Sequence, residues 1–408
     1  NKFTFYFFLF GSSIGIQYEQ INDMTEDRDG NIWIASDNGI FMTSDQGSQG
    51  NVVNFIFSET KGGIEITDIL ELSSGEFWLS TWGSGILTLN KNLMSYKNAL
   101  LGNMPNNFTA TERIQYQQVW SLYERRNGEV WLGCQGGKYM IYDTVKRKMQ
   151  YHTLKELNGS TIRFITEDKK GNVWISSQRG DIVRYDGKQF ELVQQIGTIV
   201  RKIFFDNEGL LWITSLNQGL YCYSADGKNL IHHYTVSDKK NPLFQKGGDD
   251  IDQLNDSTLV YAAGALNFIH KKTKKVSWLT TEDGLPANAV LRIRKDSRGN
   301  LWMVTRNGLC RYNPVNGIIT PYEKRDGIVI SNLTTEADFL TSNQHIIFAG
   351  SNGLIYFSPS AFSNSNLPPD VAITDFRLFN RYIPVDSLQL LPKVVLKSDQ
   401  NSFAISFS

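Results

Sequence analysis

The sequence predicts an all-β fold: a β-propeller of seven or eight four-stranded blades, followed by partial β-sandwich strands. Three observations predict it. A tryptophan set between apolar neighbours recurs along most of the chain, and each recurrence has a glycine about three residues before the indole and another about six after it. Past residue 358 this recurrence gives way to a different, alternating pattern.

The clearest copy runs Gly171-Asn172-Val173-Trp174-Ile175-Ser176-Ser177-Gln178-Arg179-Gly180-Asp181-Ile182. Others centre on Trp33, Trp78, Trp131, Trp212 and Trp302, with degenerate copies on Leu259 and Ile347, so the successive steps are 45, 53, 43, 38, 47, 43 and 45 residues. One tryptophan-bearing strand per period of this size is what a propeller blade supplies: a small four-stranded sheet that cannot bury its faces alone and stacks on its neighbours. Radial repetition also explains how 408 residues form a stable body without one outsized core.

Within a unit the punctuation gives the strand order. Ile162 to Glu167 alternates as an inner strand, Asp168-Lys169-Lys170-Gly171 turns, the Trp174 strand follows, and Gln178-Arg179-Gly180 turns again. Ile182 to Tyr185 makes the third strand, Asp186-Gly187 a hairpin turn, and Phe190 to Leu192 the outer strand. Aspartate at the first turn position accepts backbone N–H bonds and glycine at the last tolerates positive φ. The same pair stands at Asp27 and Gly30, Asp206 and Gly209, and Asp296 and Gly299, a regularity that marks these aspartates as turn formers, not catalysts. The anchor tryptophans are expected in the wedge between blades, as core.

Two stretches break the period. Residues 95–118 form a polar insertion and residues 237–252 a second long loop, the places where recognition tends to reside on a rigid scaffold. The eight units close as eight blades, or seven close while one belongs to an adjacent propeller. Residues 1–10 read either as an outer strand or as the remnant of a secretion signal. After Phe357-Ser358-Pro359 comes a Pro-containing linker at 364–369, then alternating residues 371–379 and 401–407, the opening strands of a sandwich that two or three strands cannot complete. The expected division is therefore a propeller over 1–362 and a linker with an incomplete immunoglobulin-like sandwich over 363–408.

Composition narrows the partners. Forty-one Lys plus Arg balance forty-one Asp plus Glu, so no global field draws in nucleic acid or an anionic membrane, and neither is expected to be bound. No apolar run approaches the roughly 20 residues that cross a bilayer as a helix, so no membrane span is expected in this chain. Cys134, Cys222 and Cys310 lie far apart beside blade strands and read as buried small side chains, and no metal or cofactor motif accompanies them.

The units, of the form Asp-x-x-Gly-Asn-φ-Trp-φ-x-Ser-x-x-Gly-φ, resemble the two-component regulator propeller repeat. The tail Leu367-Pro368-Pro369-Asp370-Val371-Ala372-Ile373-Thr374-Asp375-Phe376, with Asp399-Gln400-Asn401-Ser402-Phe403, resembles the start of the tyrosine-motif immunoglobulin-like domain that follows it. Together they resemble the sensor region of hybrid two-component systems. The resemblance implies a periplasmic sensor, part of an inner-membrane protein, that binds breakdown products of complex glycans. It further implies signalling to a histidine kinase, a response regulator and genes for polysaccharide utilisation, with a homodimer formed through the C-terminal sandwich.

Ligands of a propeller meet the loops around the central channel on one face. Here that face carries the turn after the tryptophan strand and the connection into the inner strand. The first kind of turn offers Trp82, Gln135, Arg179, Asn217 and Arg306; the starts of inner strands offer Gln118, Arg163, Arg201 and Arg292. Trp82 is the most informative, because Asp37, Gln135, Gln178 and Arg306 occupy the corresponding place elsewhere, with Leu216 the nearest exception. An aromatic in such a turn suits the apolar face of a sugar ring while Arg and Asn serve its hydroxyls; the competing expectation is that Trp82 packs beneath the 95–118 insertion.

An enzyme would need a carboxylate pair or a nucleophile with its base outside the repeat pattern. Asp249, Asp250 and Asp252 are the one such acidic cluster, in a Lys- and Gly-rich loop that reads as solvated. The sequence thus favours a non-catalytic oligosaccharide sensor, with a propeller-fold glycan lyase or hydrolase, or a protein-binding scaffold, as alternatives.

Overall fold

In three of the blades the first hairpin turn is set by an aspartate. In the computed structural model of the chain, Asp168 Oδ1 accepts the N–H of Lys170 at 2.8 Å and of Asn172 at 3.0 Å, while Oδ2 accepts Asn172 Nδ2 at 2.8 Å and Trp174 Nε1 at 2.9 Å. Asp206 and Asp296 repeat this with Trp212 and Trp302, each at 3.0 Å. One carboxylate therefore closes the turn and orients the anchoring indole, which explains why Asp and Trp recur six residues apart. Burial raises the Asp168 carboxyl, but these donated bonds outweigh it and hold the group below its ordinary value.

The structure describes residues 20–26, 31–37, 39–44, 53–56, 65–89, 96–99, 104–322, 328, 337–350, 353–362, 373–389 and 393–407. The expected outer strand or signal at 1–10, the turn at 27–30 and the linker at 364–369 lie outside these residues. The unit around Trp174 forms one antiparallel sheet in the order Ile162–Glu167, Val173–Ser177, Asp181–Tyr185 and Phe190–Gln195. Its second strand is buried throughout, as a strand must be when the neighbouring blades cover both its faces.

Equivalent sheets occupy 66–99, 119–153, 200–234, 250–279 and 290–322, and a further one combines 338–357 with Val53–Ile56 as its outermost strand. The inner strands pack one on the next, and Asp338–Leu340 returns to Ile66–Glu71, so seven blades close a ring. They are numbered 1 to 7 from residue 66. The strand at 53–56 fastens the ring by backbone pairing with Gly353–Phe357, joining the two ends of the circuit by a sheet ladder.

Closure with seven blades leaves the first unit outside the ring as a three-stranded sheet, Ile21–Glu26, Asn31–Ser36 and Gly39–Ser44. Its anchor departs from the expectation of a core indole: Trp33 is 39% exposed, whereas Trp78, Trp131, Trp174, Trp212 and Trp302 are at most 2% exposed. Among the described residues no blade covers each face of this sheet, so no wedge encloses the indole.

The described parts of the two insertions pack against the blades. Residues 110–117 form a helix capped by a reciprocal pair, with Glu112 N donating to Thr109 Oγ1 at 3.2 Å and Thr109 N to Glu112 Oε2 at 3.1 Å. Tyr116 docks it, stacking at 5.2 Å on Phe108 and meeting Tyr151 edge-on at 5.1 Å. In the second insertion a Cβ on Gly247 would lie 1.9 Å from Leu216 O, so the chain passes too close to blade 4 for any side chain there.

All three cysteines are buried and unpaired, with burial pushing the Cys222 and Cys310 thiols up to about 12. Residues 363–408 form a separate compact unit whose described part holds one antiparallel sheet, Ile373–Leu378 between Arg381–Ile383 and Phe403–Phe407, and a short helix, Val385–Gln389.

Candidate ligand-binding groove

A repeated hydrogen bond defines which rim residues correspond. The residue after the second strand donates its N–H to the carbonyl just ahead of the inner strand. The pairs are Trp82 to Glu65 at 3.0 Å, Gln135 to Gln118 at 3.1 Å, Gln178 to Thr161 at 2.8 Å, Leu216 to Ile199 at 2.9 Å and Arg306 to Ala289 at 3.0 Å. The inner strand then bulges, leaving Thr67, Trp120, Arg163, Arg201 and Leu291 as the extra residue of blades 1, 2, 3, 4 and 6. A bulge re-aims one side chain out of the ladder.

Across blades 1 to 3 these two positions build one open groove of about 480 Å³, lined by Trp82, Trp120, Gln135, Arg163, Gln178 and Arg179 among others. Trp82 is 53% exposed, which removes the expectation that it packs beneath the insertion. Its ring lies 5.7 Å from that of Trp120 at an interplanar angle of 40°, and the Arg163 guanidinium sits 3.9 Å over the Trp120 ring. A cation over an indole face fixes the ring's orientation as well as attracting it. Gln118 flanks Trp82 through an isolated backbone bridge. Arg179 is pinned by its Nη2, which donates to Leu157 O at 3.3 Å and to Asn158 O.

Of the nine sequence candidates, Trp82, Gln135, Arg163 and Arg179 thus line one groove, with Gln118 at its edge. Asn217 and Arg306 stay in exposed rim turns of blades 4 and 6 and line neither the groove nor the central channel. Arg201 and Arg292 turn into that channel, where they pair with Asp249 at 3.3 Å and Asp338 at 3.1 Å. Trp120 was absent from the candidates. Aligning the unit on the bulge, rather than on the first residue of the connection, places it with Arg163 and Arg201.

The channel itself corrects the solvated reading of the acidic cluster. Asp249 and Asp250 line it together with Asp68, Asp338, Arg163, Arg201, Lys202, Arg292 and Arg294. Asp250 is 1% exposed and pairs with Lys202 at 2.5 Å. These side chains also cap the inner strands across blade boundaries: Asp68 accepts Leu122 N at 2.7 Å, Ser121 accepts Ile165 N at 3.0 Å and Asp250 accepts Ile293 N at 2.8 Å. Inner strands have one unpaired edge, and these groups satisfy it. Among the described residues no cluster of His, Cys, Asp or Glu has a metal-binding arrangement.

Burial pushes the Asp68 carboxyl up to about 7, with Asp338 adding to the rise while Leu122 N, Ile69 N and Arg292 oppose it. A carboxyl whose folded value lies above its unfolded one favours the protonated fold, so its contribution is full below the unfolded value near 3.8 and falls away as pH rises to about 7. Asp68→Asn is therefore expected to flatten the loss of stability between these values. Urea unfolding of both proteins across that range checks this, and parallel profiles would count against it.

The fold is a seven-bladed β-propeller with an open groove at its rim. The family model of the two-component regulator propeller matches residues 15–38 and 284–307, so two of the chain's units are similar to that repeat. Histidine kinase P4 of Formosa agariphila is 30% identical over 109 residues, 27% of this chain and 8% of that protein. The crystal structure of an extracellular domain ascribed to hybrid two-component system BT3049 of B. thetaiotaomicron matches with a TM-score of 0.67 at 21% identity, over 95% of this chain and 52% of that one. A virginiamycin B lyase of Staphylococcus aureus matches with a TM-score of 0.58 at 17% identity, over 76% of this chain and 99% of its own. The chain thus spans about half the length of the BT3049 domain and a small part of the kinase. No helix among the described residues is long and apolar enough to cross a membrane.

Proposed function

We propose that this chain is the periplasmic ligand-sensing region of a hybrid histidine kinase and that the rim groove binds a glycan-derived oligosaccharide without altering it chemically. The observation that carries this reading is Trp82, more than half exposed beside Trp120 in a groove otherwise framed by amide and guanidinium groups. A water-exposed indole such as Trp82 costs hydration unless a partner covers it, and the flat apolar face of a sugar ring does so while its hydroxyls reach Gln135, Gln178 and Arg179. The repeat family and the extracellular domain of the BT3049 system support the sensing role and the location outside the cytoplasm. In the whole protein, ligand binding biases one arrangement of a homodimer formed through the C-terminal sandwich, which sets kinase output to genes for polysaccharide use.

Calorimetric titration with a panel of oligosaccharides tests the reading: saturable heat with unchanged ligand on chromatography is expected. Trp82→Ala should weaken that binding about tenfold or more, since a central aromatic anchor contributes on the order of 1–2 kcal/mol. Its melting temperature should hardly change, because the side chain is surface-exposed. Appearance of product would instead make the propeller an enzyme, and unchanged affinity would move the site elsewhere.

A further inference from the structure

The charge of the groove narrows the ligand class, on the footing of the reading just given. Among the residues lining it, Arg163 and Arg179 are cationic, Trp82 and Trp120 aromatic and Gln135 and Gln178 neutral, and none is a carboxylate. The chain as a whole carries no net charge, and the adjoining channel, which Arg163 also lines, mixes four aspartates with its cations, so the charge distinctive of the groove is that of Arg179. Glu65 reaches this edge through its backbone carbonyl, which accepts from Trp82 N, and it is not one of the lining residues.

Arg179 is held by neutral groups. Its Nη2 donates to the carbonyls of Leu157 and Asn158, and its backbone N–H to Ser160 Oγ at 3.1 Å and Ser177 Oγ at 3.2 Å. Among the described residues no carboxylate lies within ion-pair distance of it. Carbonyls fix the side chain without neutralising it, so a full positive charge with spare N–H donors stands at the groove wall. The remaining N–H donors of a fixed guanidinium bind an oxyanion through a charge-assisted bond better than they bind a neutral hydroxyl.

We propose that the groove selects an acidic oligosaccharide, a sugar bearing a carboxylate or a sulfate ester, whose ring covers Trp82 while the acid group meets Arg179. Matched pairs of ligands test this on the full chain by calorimetry: an oligosaccharide containing uronic acid against its carboxyl-reduced form, and a sulfated oligosaccharide against its desulfated form. The acidic member of a pair is expected to bind about tenfold more tightly or better, as one added charge-assisted bond provides. High salt should shrink that advantage, because the site is open to solvent. Arg179→Gln should abolish the advantage, weakening the acidic member more than the neutral one, and Arg179→Lys should restore part of it. Whichever pair responds identifies the acid as carboxylate or sulfate.

Neutral members binding as tightly as acidic ones, still dependent on Trp82, would overturn the acid preference and leave the groove reading standing. An acid preference untouched by Arg179→Gln would overturn the role given to that residue. Absence of Trp82-dependent heat with any member would overturn the groove reading itself.

Discussion

Replacing Trp302 by alanine is expected to lower the stability of the propeller by about 3–5 kcal/mol. The indole is wholly buried, and its ring lies 5.2 Å from Tyr322, 4.9 Å from Phe357 and 5.2 Å from Phe362, so it holds blade 6 against blade 7 and the segment that follows. Truncation empties that space, and the surrounding strands cannot collapse into it, because each is fixed by its own sheet. It also leaves Asp296 Oδ2 without the Nε1 donor at 3.0 Å, although Asn300 Nδ2 still reaches that oxygen at 3.0 Å. Trp33→Ala is the internal control. With its ring 39% exposed on a sheet outside the ring, that change should cost less than half as much. Urea denaturation followed by circular dichroism measures both, and equal losses would mean that the indoles do not lock the blades.

This contrast shows how far the sequence could be read. The anchors, the strand order and the Asp-x-x-Gly turns are local features that repeat, so each copy corroborates the others, and the structure follows them blade by blade. Closure is not local. Whether seven or eight units complete the circle depends on strand 53–56 pairing with 353–357, a contact between segments about 300 residues apart in sequence that no pattern within a unit encodes. The helix at 110–117 was legible in principle, since Thr109 and Glu112 form a capping pair three residues apart. Polar composition hid it, because the helix buries only Tyr116.

For the candidate site the same division holds. Register within the repeat brought Trp82, Gln135, Arg163 and Arg179 to one rim, and a two-residue offset in reading the strand start put Gln118 forward in place of Trp120. Asp250 was misread for a physical reason. Its loop is rich in lysine and glycine, but the partners that bury it, Lys202 and Ile293 N, come from the blades on either side. Only the ring brings them together.

That burial makes Asp250→Ala the second change of large effect, with an expected loss of about 3–5 kcal/mol. The carboxylate accepts Ile251 N at 2.9 Å and Ile293 N at 2.8 Å and pairs with Lys202 at 2.5 Å, so it joins blade 5 to both neighbours. Alanine leaves the Lys202 ammonium, itself only 15% exposed, without its partner and the inner edge of blade 6 without an acceptor. Asp250→Asn separates the two contributions, since its amide oxygen still accepts a backbone N–H but cannot balance the ammonium; its loss should fall between wild type and alanine. The pH dependence carries the opposite sign from that of Asp68. Burial raises the Asp250 carboxyl, yet Lys202, Arg294 and Arg292 outweigh it and hold the group below its ordinary value. Its contribution is therefore present above the unfolded carboxylate value near 3.8 and is lost as pH falls through the lower folded one. Stability of Asp250→Ala should accordingly approach that of wild type in acid. Unfolding curves at neutral pH and near pH 3 decide the matter, and a gap that stays constant between them would show that the charge of Asp250 is not what binds the blades.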